Sequence, residues 1–278
     1  MTVLKLHIDC TNPLTKEVYG NYSNWKLFCI LRRYLEPRKR TLSMKEAVTL
    51  IYKILMPEVP GKPIEYPVKV FGFVILSVAR QVPYFHTSQD RLVRLLEQLH
   101  QFIELDLTNK LETETLHLVL ESVVRAAREI YNEPSKSLSL EYLNLTSFFA
   151  RLASSGILGS SWAVITMRDV LEQEIPKETD SYNYHIAEAA LWIHHYGTCL
   201  YYAMCHSPLR KSRRMEEKFR AGSLYNGSAF SVERWNFWRD AFALAVKGGN
   251  LNGESRELAL NALLLMDEIA AAGVMEAR

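Results

Sequence analysis

Two histidines and a glutamate share one face of a single long predicted helix. His185, Glu188 and His195 fall at i, i+3 and i+10, and Trp192 at i+7 lies on the same face. A histidine one turn from a carboxylate can transfer protons or bind a metal ion. No recognised metal-binding motif accompanies the pair, so we predict acid/base chemistry with His185, Glu188 and His195 as catalytic residues and no metal. The alternative is an amphipathic helix whose histidines are solvated or paired locally.

Aromatic side chains are concentrated on this helix, where Tyr182, Tyr184, Trp192, Tyr196, Tyr201 and Tyr202 all lie. Aromatic walls with a few polar groups are typical of a pocket for an apolar small molecule. We predict Tyr184, Trp192 and Tyr196 as substrate-binding residues, the alternative being that the rings only pack the core. For Trp235 and Trp238, three residues apart, we predict core packing.

Arginines within apolar helical stretches need partners, because a buried guanidinium is costly unless it is paired. Glu172 lies one helical turn from Arg168, so we predict an ion pair between them, and a second between Arg234 and an unspecified carboxylate. The alternative for these arginines is an anion-binding site.

Apolar residues recur at helical spacing through nearly the whole chain, and this pattern predicts an all-α fold. Ser43 and Glu46 form a capping box that starts one helix. Residues 68–80 fit a buried strand or a buried helix, and Pro67 in a first-turn position favours the helix. The predicted helices include residues 22–35, 143–155, 160–175, 181–205, 231–246 and 252–272. We expect about ten or eleven helices in one compact domain, 1–278, with a polar sub-domain joint near 134–138.

Composition excludes several classes of protein. The 278 residues are 48% hydrophobic and 23% charged, as in ordinary globular chains, and the net charge is +2. A basic cluster at 210–220 is diluted by Glu216 and Glu217, so we predict no nucleic-acid partner. No apolar run reaches membrane-spanning length and no signal peptide is recognisable, so we expect a cytoplasmic protein without membrane contact. Nucleotide- and dinucleotide-binding patterns are missing, and we predict no cofactor.

Four stretches of the second half together resemble a known family: FARLASSGIL at 149–158, MRDVLE at 167–172, AALWIHHYGTCLY at 189–201 and FSVERWNFW at 230–238. They are similar to the filamentous-fungal family catalogued as domain of unknown function 3632. The resemblance implies a helical intracellular fungal protein, and it implies no common activity and no family catalytic residues.

Two hypotheses of function follow. The first is a cofactor-independent enzyme of specialised metabolism, a cyclase, isomerase or lyase with an apolar, aromatic-lined pocket that takes a hydrophobic small molecule. The alternative is a non-enzymatic helical interaction or scaffold protein. The sequence leaves the oligomeric state open.

Overall fold

The computed structural model describes residues 4–9, 18–36, 41–55, 65–105, 110–132, 138–177, 180–205 and 213–276. Eleven α-helices and one short β-hairpin account for most of this part of the chain, so the predicted all-α fold and the predicted number of helices are confirmed. The chain divides into two compact units, Met1–Ser137 and Leu138–Arg278. The prediction of one folding domain with a joint near 134–138 stays a prediction.

Unit 1 contains the hairpin and the first five helices. Its elements are β1 (Val18–Tyr19), β2 (Tyr22–Ser23), α1 (Asn24–Leu35), α2 (Met44–Leu55), α3 (Glu65–Gln81), α4 (Ser88–Leu105) and α5 (Lys110–Tyr131). The sequence did not reveal the hairpin, because strands of two residues are too short for alternation to show. The ambiguous residues 68–80 lie in helix α3, as favoured above.

Local signals explain where several of these helices begin. The predicted capping box is present: the Ser43 amide donates to the Glu46 carboxylate at 2.7 Å, and the Glu46 amide donates to Ser43 Oγ at 3.3 Å. Ser23 caps α1 by accepting from the Lys26 amide.

Helices α3 and α5 approach each other closely at Gly72. The Gly72 amide donates to Ser122 Oγ at 3.1 Å, and a Cβ at Gly72 would overlap the Ser122 carbonyl.

Unit 2 contains the remaining helices. They are α6 (Leu140–Ser154), α7 (Ser161–Leu171), α8 (Asp180–Cys205), α9 (Arg213–Lys218), α10 (Val232–Lys247) and α11 (Gly253–Glu276). Helix α8 is the central element, since α6, α7, α10 and α11 all pack against it. Trp192 of α8 and Trp235 and Trp238 of α10 are at most 1% exposed, which confirms that the two tryptophans of α10 are core residues.

Helix α7 ends four residues earlier than the predicted 160–175. Its last residue is Leu171, and Glu172 leaves the helical conformation with φ −111° and ψ 10°. The Glu172 carbonyl accepts the Leu224 amide at 3.0 Å instead of continuing the helix. This contact from a distant loop is tertiary, so periodicity could not reveal the end of the helix.

Candidate functional site

The predicted catalytic residues face helix α6 and form a polar seam, which we define as Tyr142, Ser147 and Arg151 of α6 with His185, Glu188 and His195 of α8. Tyr142 contacts Glu188, and Ser147 contacts His195 farther along both helices. The contacts occur in the same order on the two helices, so α6 and α8 run in the same direction along the seam. The structure therefore brings the three predicted residues to one interface.

Glu188 is the buried carboxylate of the seam, with 5% of its surface exposed. The Tyr142 hydroxyl donates to Glu188 Oε1 at 2.7 Å, and His185 Nδ1 lies 4.0 Å from Glu188 Oε2. The His185 side chain is 30% exposed, so it connects the buried carboxylate to the protein surface. A carboxylate held between a phenol and a partly exposed imidazole has the parts of a proton relay.

His195 is held as a neutral side chain. Its Nε2 atom lies 3.2 Å from Ser147 Oγ, and Arg151 Nε donates to the same oxygen at 3.4 Å. Burial, as the largest cause, and the charges of Arg151 and His194 together lower the pKa of His195 from 6.5 to about 2. Because Ser147 is fully buried, this serine–histidine contact has no surface at which a substrate could reach the hydroxyl.

The predicted substrate-binding residues differ in exposure. Tyr184 is half-buried, whereas Trp192 is 1% exposed and packs edge-on against Tyr196 with ring centroids 6.2 Å apart. The Tyr196 pKa is raised, mainly by burial and also by the neighbouring Cys199, while a hydrogen bond with Ser160 opposes the shift. Trp192 and Tyr196 thus contribute largely to the interior of the unit.

An apolar pocket of about 470 Å³ lies elsewhere on α8, between α7, α8 and α10. Its apolar lining comes from α7, α8, α10 and the loops that follow α7 and precede α10. These residues are Val170, Leu171, Ile175, Ile186, Leu224, Phe237, Ala241, Leu244 and Ala245. None of the predicted catalytic or substrate-binding residues lines this pocket. Of the residues of α8, only Tyr182 and Ile186 line the pocket, and neither was predicted as a site residue.

The pocket's polar groups differ sharply in their surroundings. Tyr182 is buried, with 7% of its surface exposed, and its hydroxyl makes no hydrogen bond to any described residue. Burial raises the Tyr182 pKa, so this hydroxyl stays protonated. The other polar residues of the lining are exposed at the mouth: Gln173, Glu174, Lys177 and Asp240.

A buried ion pair holds the loop that supplies one pocket wall. Arg234 Nε donates to Glu172 Oε1 at 2.6 Å and Nη2 donates to Oε2 at 3.0 Å, and both side chains are 0% exposed. Trp238 Nε1 also donates to Oε1, and the Gly222 amide donates to Oε2, each at 2.6 Å. We call these four residues the Glu172 cluster. Its carboxylate is surrounded by donors, as a buried charge requires.

The same arginine fixes the loop backbone. Arg234 Nη1 donates to the carbonyls of Phe219 and Ala229, each at 2.7 Å, and these residues bracket Leu224 of the pocket wall. A Cβ at Gly222 would lie 2.5 Å from the Glu172 carbonyl oxygen, so glycine is required there by space. The cluster therefore positions Leu224 through the loop.

The predicted partner of Arg168 was wrong, whereas an ion pair for Arg234 is confirmed. Arg168 pairs with its neighbour Asp169 at 2.7 Å, and Glu172 pairs with Arg234. The one-turn spacing failed because α7 ends at Leu171, which turns Glu172 away from the helix face that carries Arg168. The anion-binding alternative does not fit Arg234, because its guanidinium is buried and engaged by protein groups.

Two further observations limit the chemistry of the described residues. Among them, no cluster of three or more His, Cys, Asp or Glu side chains is placed to hold a metal ion. In the same part of the chain, no helix is both long enough and apolar enough to cross a membrane.

The fold and the two sites define an all-α helical protein whose second unit combines an apolar pocket with a polar interhelical seam. The family model described as "Protein of unknown function (DUF3632)" matches residues 73–242, more than half of the sequence. The chain belongs to this family, and the resemblance seen in the sequence is confirmed. No curated protein and no solved structure matches the chain with significant similarity.

Proposed function

We propose that unit 2 binds a small apolar molecule in the pocket between α7, α8 and α10. The observation that carries the proposal is the pocket itself, because about 470 Å³ falls within the range of sites for small organic ligands. Its wall is mainly aliphatic and aromatic, so burial of an apolar ligand there is favoured by about 25 cal/mol per Å² of apolar surface removed from water.

The mouth of the pocket supports the same proposal. Leu244 is 69% exposed and Leu224 is 45% exposed, and both belong to the lining. Large aliphatic side chains exposed beside a concavity mark a surface that gains free energy when a ligand covers it. The exposed Lys177, Glu174 and Asp240 at the mouth keep the surroundings solvated while the interior stays apolar.

The test uses 1-N-phenylnaphthylamine, a neutral fluorescent probe whose emission rises in apolar surroundings. We expect saturable binding to the full chain. Ala241→Phe, which fills the pocket, should weaken binding at least about tenfold, because a bulky side chain excludes the probe from the space it needs. Ala243→Phe is the matched control, since Ala243 is also half-buried on α10 but does not line the pocket. Equal binding by both variants and by the wild type would contradict the proposal.

A second candidate is the enzymatic function: a cofactor-independent cyclase, isomerase or lyase using His185, Glu188 and His195, with Tyr184, Trp192 and Tyr196 around the substrate. The observation that favours it is Glu188, a buried carboxylate that accepts from Tyr142 and faces the partly exposed His185. His195, with its pKa near 2, would serve as a neutral hydrogen-bonding group, and Glu188 and His185 would move the proton.

Deuterium exchange tests this second candidate without a known substrate. In D₂O, a positioned base should speed exchange of the acetyl protons of 2-acetylnaphthalene, and Glu188→Gln should abolish the acceleration. Glu257→Gln is the control, because Glu257 is an exposed carboxylate of α11 that belongs to neither the seam nor the pocket lining. An exchange rate that is the same with wild type, with Glu188→Gln and without protein would refute proton transfer on this substrate.

The cellular setting is also a proposal. We propose a cytoplasmic protein of fungal specialised metabolism, on the strength of the family resemblance and the apolar pocket. A gene for a polyketide, peptide or terpene synthase next to the gene of this protein would support this setting. A position among unrelated housekeeping genes would count against it.

A further inference from the structure

Tyr182 is placed differently from every other polar residue of the pocket lining. Its side chain is 7% exposed, whereas Gln173, Glu174, Lys177 and Asp240 are exposed at the mouth. The exposed part includes the hydroxyl oxygen, since Oη is not one of the fully buried polar atoms that lack a hydrogen bond. Within the described part of the chain this hydroxyl makes no hydrogen bond, so it is available to a molecule in the pocket.

The neighbouring tyrosines show that this is particular to Tyr182. The Tyr142 hydroxyl donates to Glu188 at 2.7 Å, and the Tyr225 hydroxyl lies 3.1 Å from Ser231 Oγ. Tyr196, on the same helix as Tyr182, has Ser160 as a hydrogen-bonding neighbour. The pocket is thus the place where a buried phenol of unit 2 can acquire a partner from outside the protein.

We propose that the pocket selects apolar molecules that carry a neutral hydrogen-bond acceptor, such as a ketone or ester carbonyl, which the Tyr182 hydroxyl contacts. This inference rests on the proposed function and names the ligand class for that pocket. A neutral phenol donates more strongly than it accepts, and no charged lining residue is buried beside it. The charged residues of the lining are one cation, Lys177, and two anions, Glu174 and Asp240, so the pocket offers a carboxylate ligand no net attraction and the acceptor is uncharged.

Apolar residues from all three helices around the pocket can contact a ring system. Ile186 lies one turn along α8 from Tyr182, and Phe237 and Leu171 line the pocket from the two other helices. These apolar groups accommodate a ring system, while the tyrosine supplies the polar contact that fixes its orientation.

The test compares two probes that differ in one group, 2-acetylnaphthalene and 2-ethylnaphthalene, each in competition with 1-N-phenylnaphthylamine. Tyr182→Phe should weaken the ketone relative to the hydrocarbon by about 2- to 12-fold, the range expected for one hydrogen bond. Tyr201→Phe, at a buried tyrosine of α8 outside the pocket, is the matched control and should leave the ratio unchanged. Taking the ratio cancels the different solubility of the two probes in water.

A second measurement needs no variant. The carbonyl stretch of ¹³C-labelled 2-acetylnaphthalene bound to the wild-type chain should lie at lower wavenumber than in hexane, because a donated hydrogen bond weakens the C=O bond. If both probes bind but the ratio is unaltered in Tyr182→Phe and the stretch matches that in hexane, the acceptor inference is wrong and the pocket proposal stands. If neither probe competes for the site, the proposed function fails and the inference falls with it.

Discussion

The polar side chains of helix α8 have different surroundings on the seam and on the pocket side. On the polar seam, Glu188 and His195 are matched by Tyr142 and Ser147 of α6. On the pocket side, Tyr182 and Ile186 face a space of about 470 Å³, and the Tyr182 hydroxyl has no partner among the described residues. Residue types that suggest chemistry lie on the first face, whereas the space for a ligand lies beside the second.

The difference shows that reactive residue types and an accessible cavity are separate requirements. The seam residues stabilise contacts between helices, and their polar atoms meet other protein atoms. The pocket lacks an obvious nucleophile but has the volume, the apolar wall and a buried donor that binding requires. For this reason the binding function ranks ahead of the catalytic one.

The largest effect should come from the Glu172 cluster, which fixes the loop on the pocket side. Replacing Arg234 by Leu leaves the Glu172 carboxylate buried without its cation, and we expect unfolding free energy to fall by about 3–5 kcal/mol. Urea denaturation measures this loss. Arg168→Leu removes a partly exposed pair with Asp169 and should change stability by less than about 0.5 kcal/mol. Similar losses in the two variants would mean that the cluster has no special role.

A smaller effect should separate the two faces of α8 directly. Tyr142→Phe removes a donor to the buried Glu188, which should cost about 1.5–3 kcal/mol of unfolding free energy, as for hydrogen bonds to charged groups. Tyr182→Phe removes a hydroxyl with no partner among the described residues and should leave stability within about 0.5 kcal/mol. Urea unfolding of the two variants measures both losses. An equal loss of unfolding free energy in Tyr142→Phe and Tyr182→Phe would contradict the difference between the seam and the pocket.

The pH dependence of stability between pH 7 and pH 5 should report mainly on His195 of the seam. The unfolded chain protonates His195 near pH 6.5, whereas the folded chain keeps it neutral to about pH 2, so the unfolded state binds more protons in acid. Above pH 6.5 His195 is mostly neutral in both states, so this difference costs no stability. As the pH drops below 6.5 the free energy of unfolding falls, because only the unfolded chain binds the proton. Since the side chain is only partly buried, we expect a loss on the order of 1–2 kcal/mol between pH 7 and pH 5.

His195→Asn should remove most of that acid slope in thermal or urea unfolding at a series of pH values. The His194 pKa is also lowered, mainly by burial and further by the charge of Arg151. We therefore expect His194→Asn to reduce the slope by a smaller amount, because His194 is the more exposed of the two. A slope that is unchanged in His195→Asn would contradict the neutral, buried state of His195.

Local features of the fold were predictable because they depend on neighbours in sequence. The Ser43–Glu46 capping box was predicted from two residues three positions apart, and it is present. Helical spacing also favoured the correct state for residues 68–80, now α3. Strands of two residues at Val18–Tyr19 and Tyr22–Ser23 leave no comparable signal.

The site was less predictable because it depends on distant segments. Glu172 meets Arg234 and Gly222 across 62 and 50 residues, and no spacing rule reports such separations. Tyr182 was visible as one of many aromatic residues of the long helix, but its lack of a partner follows only from how α7 and α10 pack around it. An aromatic and an aliphatic residue at i and i+4, Tyr182 and Ile186, were the available signal, and many core helices share it.

Methyl NMR of the full chain, titrated with 2-acetylnaphthalene, can show directly whether the pocket between α7, α8 and α10 binds an apolar molecule. Ile186 and Ile175 line the pocket, whereas Ile193 is a fully buried residue of α8 outside the lining and serves as the internal reference. We expect saturable shifts of the Ile186 and Ile175 methyl signals and no shift of the Ile193 signals, because the naphthalene ring current acts over only a few ångströms. Shifts at Ile193 without shifts at Ile186, or no saturable shift at either pocket isoleucine, would contradict it.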